Sequence, residues 1–170
     1  MNNFYPFYNI KTKLNGGYKN IIGDYVGFYC PHCFTPIIIK TKIVLESKED
    51  IYIVPKFYIK CENCNNYTDF DFYIDPNITN CIAQLNKKGY ITRNCCEGHN
   101  YDIEHGGDAY IQFKSKIDTS KLIYPWYNRF KDYYIDKDNI KHKCTCIRCN
   151  INNSTLEERI DSLQKWIDLL

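Results

Sequence analysis

Residues 30–64 read CPHCFTPIIIKTKIVLESKEDIYIVPKFYIKCENC, a stretch that opens and closes on a Cys-x-x-Cys pair. Two residues between cysteines are enough for the backbone to turn and aim both thiolates to one side. Two such pairs supply the four ligands of a tetrahedral zinc ion, Cys30, Cys33, Cys61 and Cys64. Between them PIIIKTKIVL is β-branched and strand-like, ESKED is a polar reversal, and IYIVPKFYIK returns. The expectation is a hairpin of residues 36–45 with 51–60, with one knuckle at each open end. Pro55 predicts an edge or a bulge in the return strand, because proline cannot donate to a ladder. Four sulfurs leave no coordination position for water or substrate, so a zinc here is structural rather than hydrolytic. His32, between two ligands, reads as an exposed polar residue.

Upstream, aromatics interspersed with Gly16, Gly17, Gly23 and Gly27 predict short strands and turns. Downstream, YTDFDFYI alternates at period two and predicts a further strand. A helix follows: Asp75 is the expected N-cap, Pro76 fits the first turn, and Ile78, Cys81, Ile82 and Leu85 share one face. GYITRN and AYIQFK predict strands, and YYIDKDNIKHK predicts a hairpin turning at Asp136–Asn139. At the C-terminal end Ser154 and Glu157 form a candidate capping box. Leu156, Ile160, Leu163, Ile167 and Leu170 follow as an apolar stripe flanked by Trp166. The fold class is therefore α+β: a zinc-ribbon β-hairpin lobe over 1–74, then an α+β lobe over 75–170 built from a small β-α-β-β body and a C-terminal amphipathic helix.

Ten cysteines in 170 residues suit either a disulfide scaffold or metal ligation. The opening MNNFYPFYNIKTKLNGG has no apolar export core, so the expected compartment is reducing, a cytoplasm. No run reaches the roughly 18 apolar residues of a membrane span, so no membrane partner is expected. With 22 Lys and Arg against 20 Asp and Glu, net charge neither demands nor excludes a polyanion. Its distribution is uneven. Residues 62–86 and 94–113 carry Glu62, Asp69, Asp71, Asp75, Glu97, Asp102, Glu104 and Asp108 with no Lys or Arg in either stretch, whereas 114–148 is rich in Lys and Arg.

Two further clusters carry candidate chemistry. In KHKCTCIRC, Cys144, Cys146 and Cys149 offer three ligands for a second zinc, with His142 or Cys95 as the fourth; reduced, partly buried thiols are the plain alternative. In CCEGH a thiol, a carboxylate and an imidazole share one turn. If the protein is an enzyme, Cys96, Glu97, His99 and His105 are its expected catalytic groups. The His-x-Glu that zinc deaminases place ahead of their cysteines is missing from the sequence.

The run LNKKGYITRNCCEGHNYDIEHGGDAYIQF resembles a module in small zinc-ribbon proteins of bacteriophages and mobile elements from AT-rich Gram-positive bacteria. There a helix ending in KKGY is followed by a T-x-x-C-C-x-G-H turn and a Y-I-x-F strand. The likeness covers residues 78–113 and implies a phage-like setting without an assigned activity. The same turn is faintly similar to the S-C-S-G-R turn of the wybutosine-synthesis methyltransferase family, with Cys96, Gly98 and His99 at its Cys, Gly and Arg positions.

These readings lead to a zinc-binding protein that acts by macromolecular contact, with a host protein, a nucleoprotein complex or nucleic acid as partner. In a phage-like setting the contact implied is inhibition of a host defence complex of the CRISPR type, with the acidic stretches occupying a basic channel. The alternatives are an RNA- or nucleotide-modifying enzyme centred on CCEGH, and a structural or assembly protein.

Overall fold

The computed structural model describes residues 25–40, 57–70, 73–98, 108–129, 132–136 and 138–170 in full, and residues 5–13, 21–22, 43–44 and 51–56 as backbone strands. Among the described residues the architecture is mixed, with small antiparallel sheets and two α-helices. The chain forms two compact units, Met1–Thr79 and Asn80–Leu170. Sequence reading divides it at 74/75, ahead of the helix that Pro76 opens; the observed division lies just inside that helix.

The first unit contains strands β1 (Tyr5–Lys13), β2 (Ile21–Ile22), β3 (Tyr25–Tyr29), β4 (Pro36–Lys40), β5 (Ile43–Val44), β6 (Ile51–Lys60) and β7 (Tyr67–Phe70). β3 pairs with β4, β2 with β5, and β6 runs between β1 and β7. This corrects the hairpin expected of residues 36–45 with 51–60, because each of those runs pairs with a different neighbour. The reason is local. Each Cys-x-x-Cys is itself the reversal, so the shortest loop closes at the knuckle and the flanking strands zip there first. Pro55 lies opposite Tyr8, beside a register shift between Tyr8 and Lys11 and beyond the Phe57 end of the β6–β7 pairing, where a missing donor is tolerated.

Period-two alternation gives these strands an inner and an outer face. Val26, Phe28 and Ile39 point inward and meet Phe57, Ile59 and Phe70. The Phe28 ring lies 5.0 Å from that of Phe57 and 4.8 Å from that of Phe70. Tyr25, Ile38, Tyr58 and Tyr67 point outward. Gly27 is required by close approach: a Cβ there would clash with the Thr79 hydroxyl. Its backbone exchanges two 2.8 Å hydrogen bonds with Ile74, tying β3 to the segment that enters the helix.

That entry is a short 3-10 turn, Pro76–Ile78, leading into α1 (Thr79–Lys87). Asp75 occupies the N-cap position but its side chain makes no capping bond; the Thr79 hydroxyl donates to the Asp75 carbonyl instead, at 3.0 Å. Ile78, Cys81, Ile82 and Leu85 are buried on the face that their spacing predicts. Gly89, at φ 89°, closes the C-terminal end.

The second unit contains β8 (Thr92–Cys96), β9 (Asp108–Phe113), β10 (Tyr127–Asn128), β11 (Tyr133–Ile135), β12 (Lys141–Lys143), β13 (Cys146–Asn150) and α2 (Leu156–Asp168). Four strands form an antiparallel sheet in the order β10-β13-β9-β8, and β11–β12 is a separate hairpin. Ala109, Ile111 and Phe113 are fully buried on alternate positions of β9, and Phe113 meets Trp166 of α2 edge-on at 6.3 Å. Gln84 of α1 and Gln164 of α2 exchange hydrogen bonds of 2.9 and 3.0 Å.

The cap of α2 is one residue later than Ser154 and Glu157. Thr155 accepts from the Glu158 N–H, and the Glu158 carboxylate accepts from the Thr155 N–H. Ser154 is occupied elsewhere, with its hydroxyl 3.1 Å from Cys149 Sγ. Trp166 stands at the centre of the buried face with Leu163 and Ile167, while Leu156, Ile160 and Leu170 are only half-buried. No helix among the described residues is long and apolar enough to cross a membrane.

Candidate metal centre

The sulfurs of Cys30, Cys33, Cys61 and Cys64 all lie within 4.8 Å of one another. Two elements bring them there, the reversal between β3 and β4 and the reversal between β6 and β7. The two turns share one backbone plan. The Cys30 N–H donates to the Thr35 carbonyl at 2.9 Å and the Phe34 N–H to the Cys30 carbonyl at 2.7 Å. In the second knuckle the Cys61 N–H donates to the Asn66 carbonyl at 2.9 Å and the Asn65 N–H to the Cys61 carbonyl at 2.8 Å. The residue after each second cysteine is left-handed, Phe34 at φ 58° and Asn65 at φ 60°. Asparagine tolerates that region; phenylalanine is strained there.

Sulfur spacing fits a tetrahedral ion. Cys30 Sγ lies 3.5 Å from Cys64 Sγ, and Cys33 Sγ 3.6 Å from Cys61 Sγ. A ZnS4 tetrahedron with Zn–S bonds of about 2.3 Å has edges of about 3.8 Å. A disulfide needs about 2.05 Å, and all four cysteines are free thiols. Cys30 and Cys61 are buried, Cys33 and Cys64 partly exposed.

Electrostatics makes the same point. Burial pushes the Cys30 thiol up to about 12. The Thr35 hydroxyl, 3.1 Å from Cys33 Sγ, leads a set of hydrogen bonds that holds Cys33 down at about 5. The Asn66 backbone N–H lowers Cys64, and the Asn66 side chain donates to the same sulfur at 3.4 Å. Without a cation the quartet must share protons, because four thiolates at these distances repel strongly. A divalent ion removes the conflict and lets all four ionise. Thr35 and Asn66 are the supporting groups that the cysteine spacing does not reveal. The signal for them is the repeated pattern of a polar residue two positions after each second cysteine. His32 is exposed, as its place between two ligands suggested.

Among the described residues no other three His, Cys, Asp or Glu side chains gather their ligand atoms in this way. Cys146 and Cys149 lie three residues apart on β13, and alternation sends them to opposite faces. Cys146 donates to the Ile147 carbonyl at 3.8 Å, and Cys149 Sγ lies against Ser154. Cys144 is buried just ahead of the strand. Burial raises all three thiols, Cys146 to about 11. His142 stacks on Tyr134 at 4.9 Å, and its Nε2 pairs with Asp136 Oδ2 at 2.7 Å across the hairpin turn. Cys81, buried on α1, is raised to about 11 by desolvation and donates to Gln164.

At the end of β8 a register shift between Thr92 and Asn94 sets the pairing of Cys95 with Ile111 and of Cys96 with Tyr110, so the two side chains take opposite faces. Glu97 is only 8% exposed. Gly98, at φ 80°, is required by the turn and by packing, since a Cβ would clash with Ile151 Cγ2. Its N–H donates to Cys96 Sγ at 3.4 Å. His99 and His105 lie outside the described residues.

No protein-family model, curated protein or solved structure matches the chain.

Proposed function

We propose that this protein is a metal-stapled binding module, in which zinc fastens the first unit and function lies in contact with a macromolecule rather than in turnover. The closed quartet Cys30, Cys33, Cys61 and Cys64 carries this reading: four sulfurs around one ion leave no site for a substrate. Polar chemistry on the CCEGH turn is the weaker reading, because Glu97 is buried and Gly98 is held against Ile151. The resemblance of residues 78–113 to phage and mobile-element modules supports action inside a bacterial host, on a host protein, a defence nucleoprotein complex of the CRISPR type, or nucleic acid. Inhibition by acidic mimicry draws less support than contact through cations. Glu97 is buried, and Asp108 is engaged with Arg148 at 3.8 Å and with the Tyr127 hydroxyl at 3.3 Å.

The test is affinity capture from a host lysate, with and without nuclease, for the wild type, Cys96→Ser and Cys30→Ser. Binding predicts capture that survives Cys96→Ser and is lost with Cys30→Ser. Turnover of an RNA or nucleotide substrate that Cys96→Ser abolishes would overturn it.

A further inference from the structure

The β11–β12 hairpin has two unlike faces. Register places Tyr134 opposite His142 on one of them. That face is braced: the Arg93 guanidinium lies 4.0 Å from the centre of the Tyr134 ring and donates to the Ile135 carbonyl at 3.4 Å, and His142 stacks on Tyr134 with ring centres 4.9 Å apart. Tyr133, Ile135, Lys141 and Lys143 occupy the opposite face, Tyr133 paired with Lys143 and Ile135 with Lys141. All four are exposed, Tyr133 at 46% and Ile135 at 52%.

The chemistry of the outer face is specific. Lys141 Nζ sits 3.4 Å from the centre of the Tyr133 ring, joining a cation to an aromatic plate. Among the described residues neither Lys141 nor Lys143 has a carboxylate within 4.0 Å. The nearby Asp136 is consumed by the turn, where it accepts from the Asp138 and Ile140 N–H groups at 2.9 Å and pairs with His142. A braced hairpin thus presents a ring with one ammonium over it and a second ammonium nearby, neither paired with a carboxylate among the described residues. An acidic peptide could satisfy the charges but would leave the ring idle. A single-stranded nucleic acid satisfies both, with phosphates on the lysines and a base on the tyrosine.

We propose that the outer face of this hairpin is a docking surface for single-stranded nucleic acid, with Tyr133 as the stacking platform and Lys141 and Lys143 as phosphate contacts. This deepens the binding reading above and rests on it.

Fluorescence anisotropy of a labelled oligonucleotide about 12 nucleotides long, titrated with the metal-loaded full chain, tests the surface. Affinity should fall steeply between about 50 and 200 mM salt. Tyr133→Ala should weaken binding about tenfold or more, while Tyr133→Phe retains it. Lys141→Gln with Lys143→Gln should weaken it and flatten the salt slope. Metal content and thermal midpoint, measured on each variant, show that the fold is intact. Oligonucleotide binding unchanged in the Tyr133→Ala and double-lysine variants overturns the proposed surface. If no oligonucleotide binds at low salt while nuclease-resistant capture recovers a protein, the nucleic-acid assignment falls and the binding reading stands. If neither occurs, both fall.

Discussion

Cys-x-x-Cys occurs at 30–33, 61–64 and 146–149, and among the described residues the first two bring their sulfurs together as a quartet that could hold a metal ion. The difference is backbone conformation. In the first unit the motif makes a reversal followed by a left-handed residue, so its two sulfurs converge. In the second unit the same spacing lies in β13, and its sulfurs diverge to opposite sides of a strand. The cores match this division. The candidate metal site adjoins a small cluster around Phe28, Phe57 and Phe70 in the first unit, whereas the second packs two helices and a sheet around Trp166, Phe113 and Ile147.

The largest expected effect is on the metal. Structural zinc contributes about 10–16 kcal/mol to folding in small metal-dependent modules. Cys61→Ser should therefore lose the ion and melt the first unit. Cys149→Ser should keep one ion per chain by native mass spectrometry. A Cys149→Ser protein without metal would break the contrast between turn and strand.

Acid probes the same site more gently. The depressed Cys33 thiol contributes stability that is fully present above its ordinary 9.0, declines as pH falls, and is gone below about 5. Metal release followed with a chromophoric chelator should rise as pH falls, because protons compete with the ion for the sulfurs. Release insensitive to pH over this range would show that the Cys33 thiolate is not a ligand.

Trp166→Ala should cost about 3–5 kcal/mol, read by chemical denaturation of the second unit, with metal content unchanged. Loss of the ion in that variant would mean that the units are not independently held. Gly98→Ala should cost about 1–3 kcal/mol through the Ile151 clash, more than Gly89→Ala, whose Cβ would meet nothing within 4 Å. Equal effects would mean that left-handed backbone alone, shared by both glycines, sets the cost. The smallest effect sharpens the account of α2: Thr155→Ala should lower stability by about 1 kcal/mol and exceed Ser154→Ala, reversing the order that the Ser154–Glu157 pattern suggests.

The cysteine quartet was legible because the capacity to ligate a tetrahedral ion is encoded in spacing and residue type within two short turns. The helical faces were legible too, since Cys81, Ile82 and Leu85 follow a period that the backbone imposes. Strand pairing was not. PIIIKTKIVL and IYIVPKFYIK look like partners because they are adjacent in sequence, yet β4 takes β3 and β6 takes β1 and β7. The cap of α2 is one residue off the sequence reading because serine is the better cap in isolation, whereas in the fold the Ser154 hydroxyl lies 3.1 Å from Cys149 Sγ and Thr155 caps the helix.

Taken alone, the amino-acid order determined what is local: which residues can ligate a tetrahedral ion, where two helices run, and where the 133–143 hairpin turns. Tertiary structure decided which strands pair, which cysteines converge, and that Tyr133 with Lys141 faces outward while Tyr134 is braced by Arg93. The physical reason is range. Turn chemistry and helical period are settled within a few residues, but the face a strand residue takes depends on a register set by partners far along the chain.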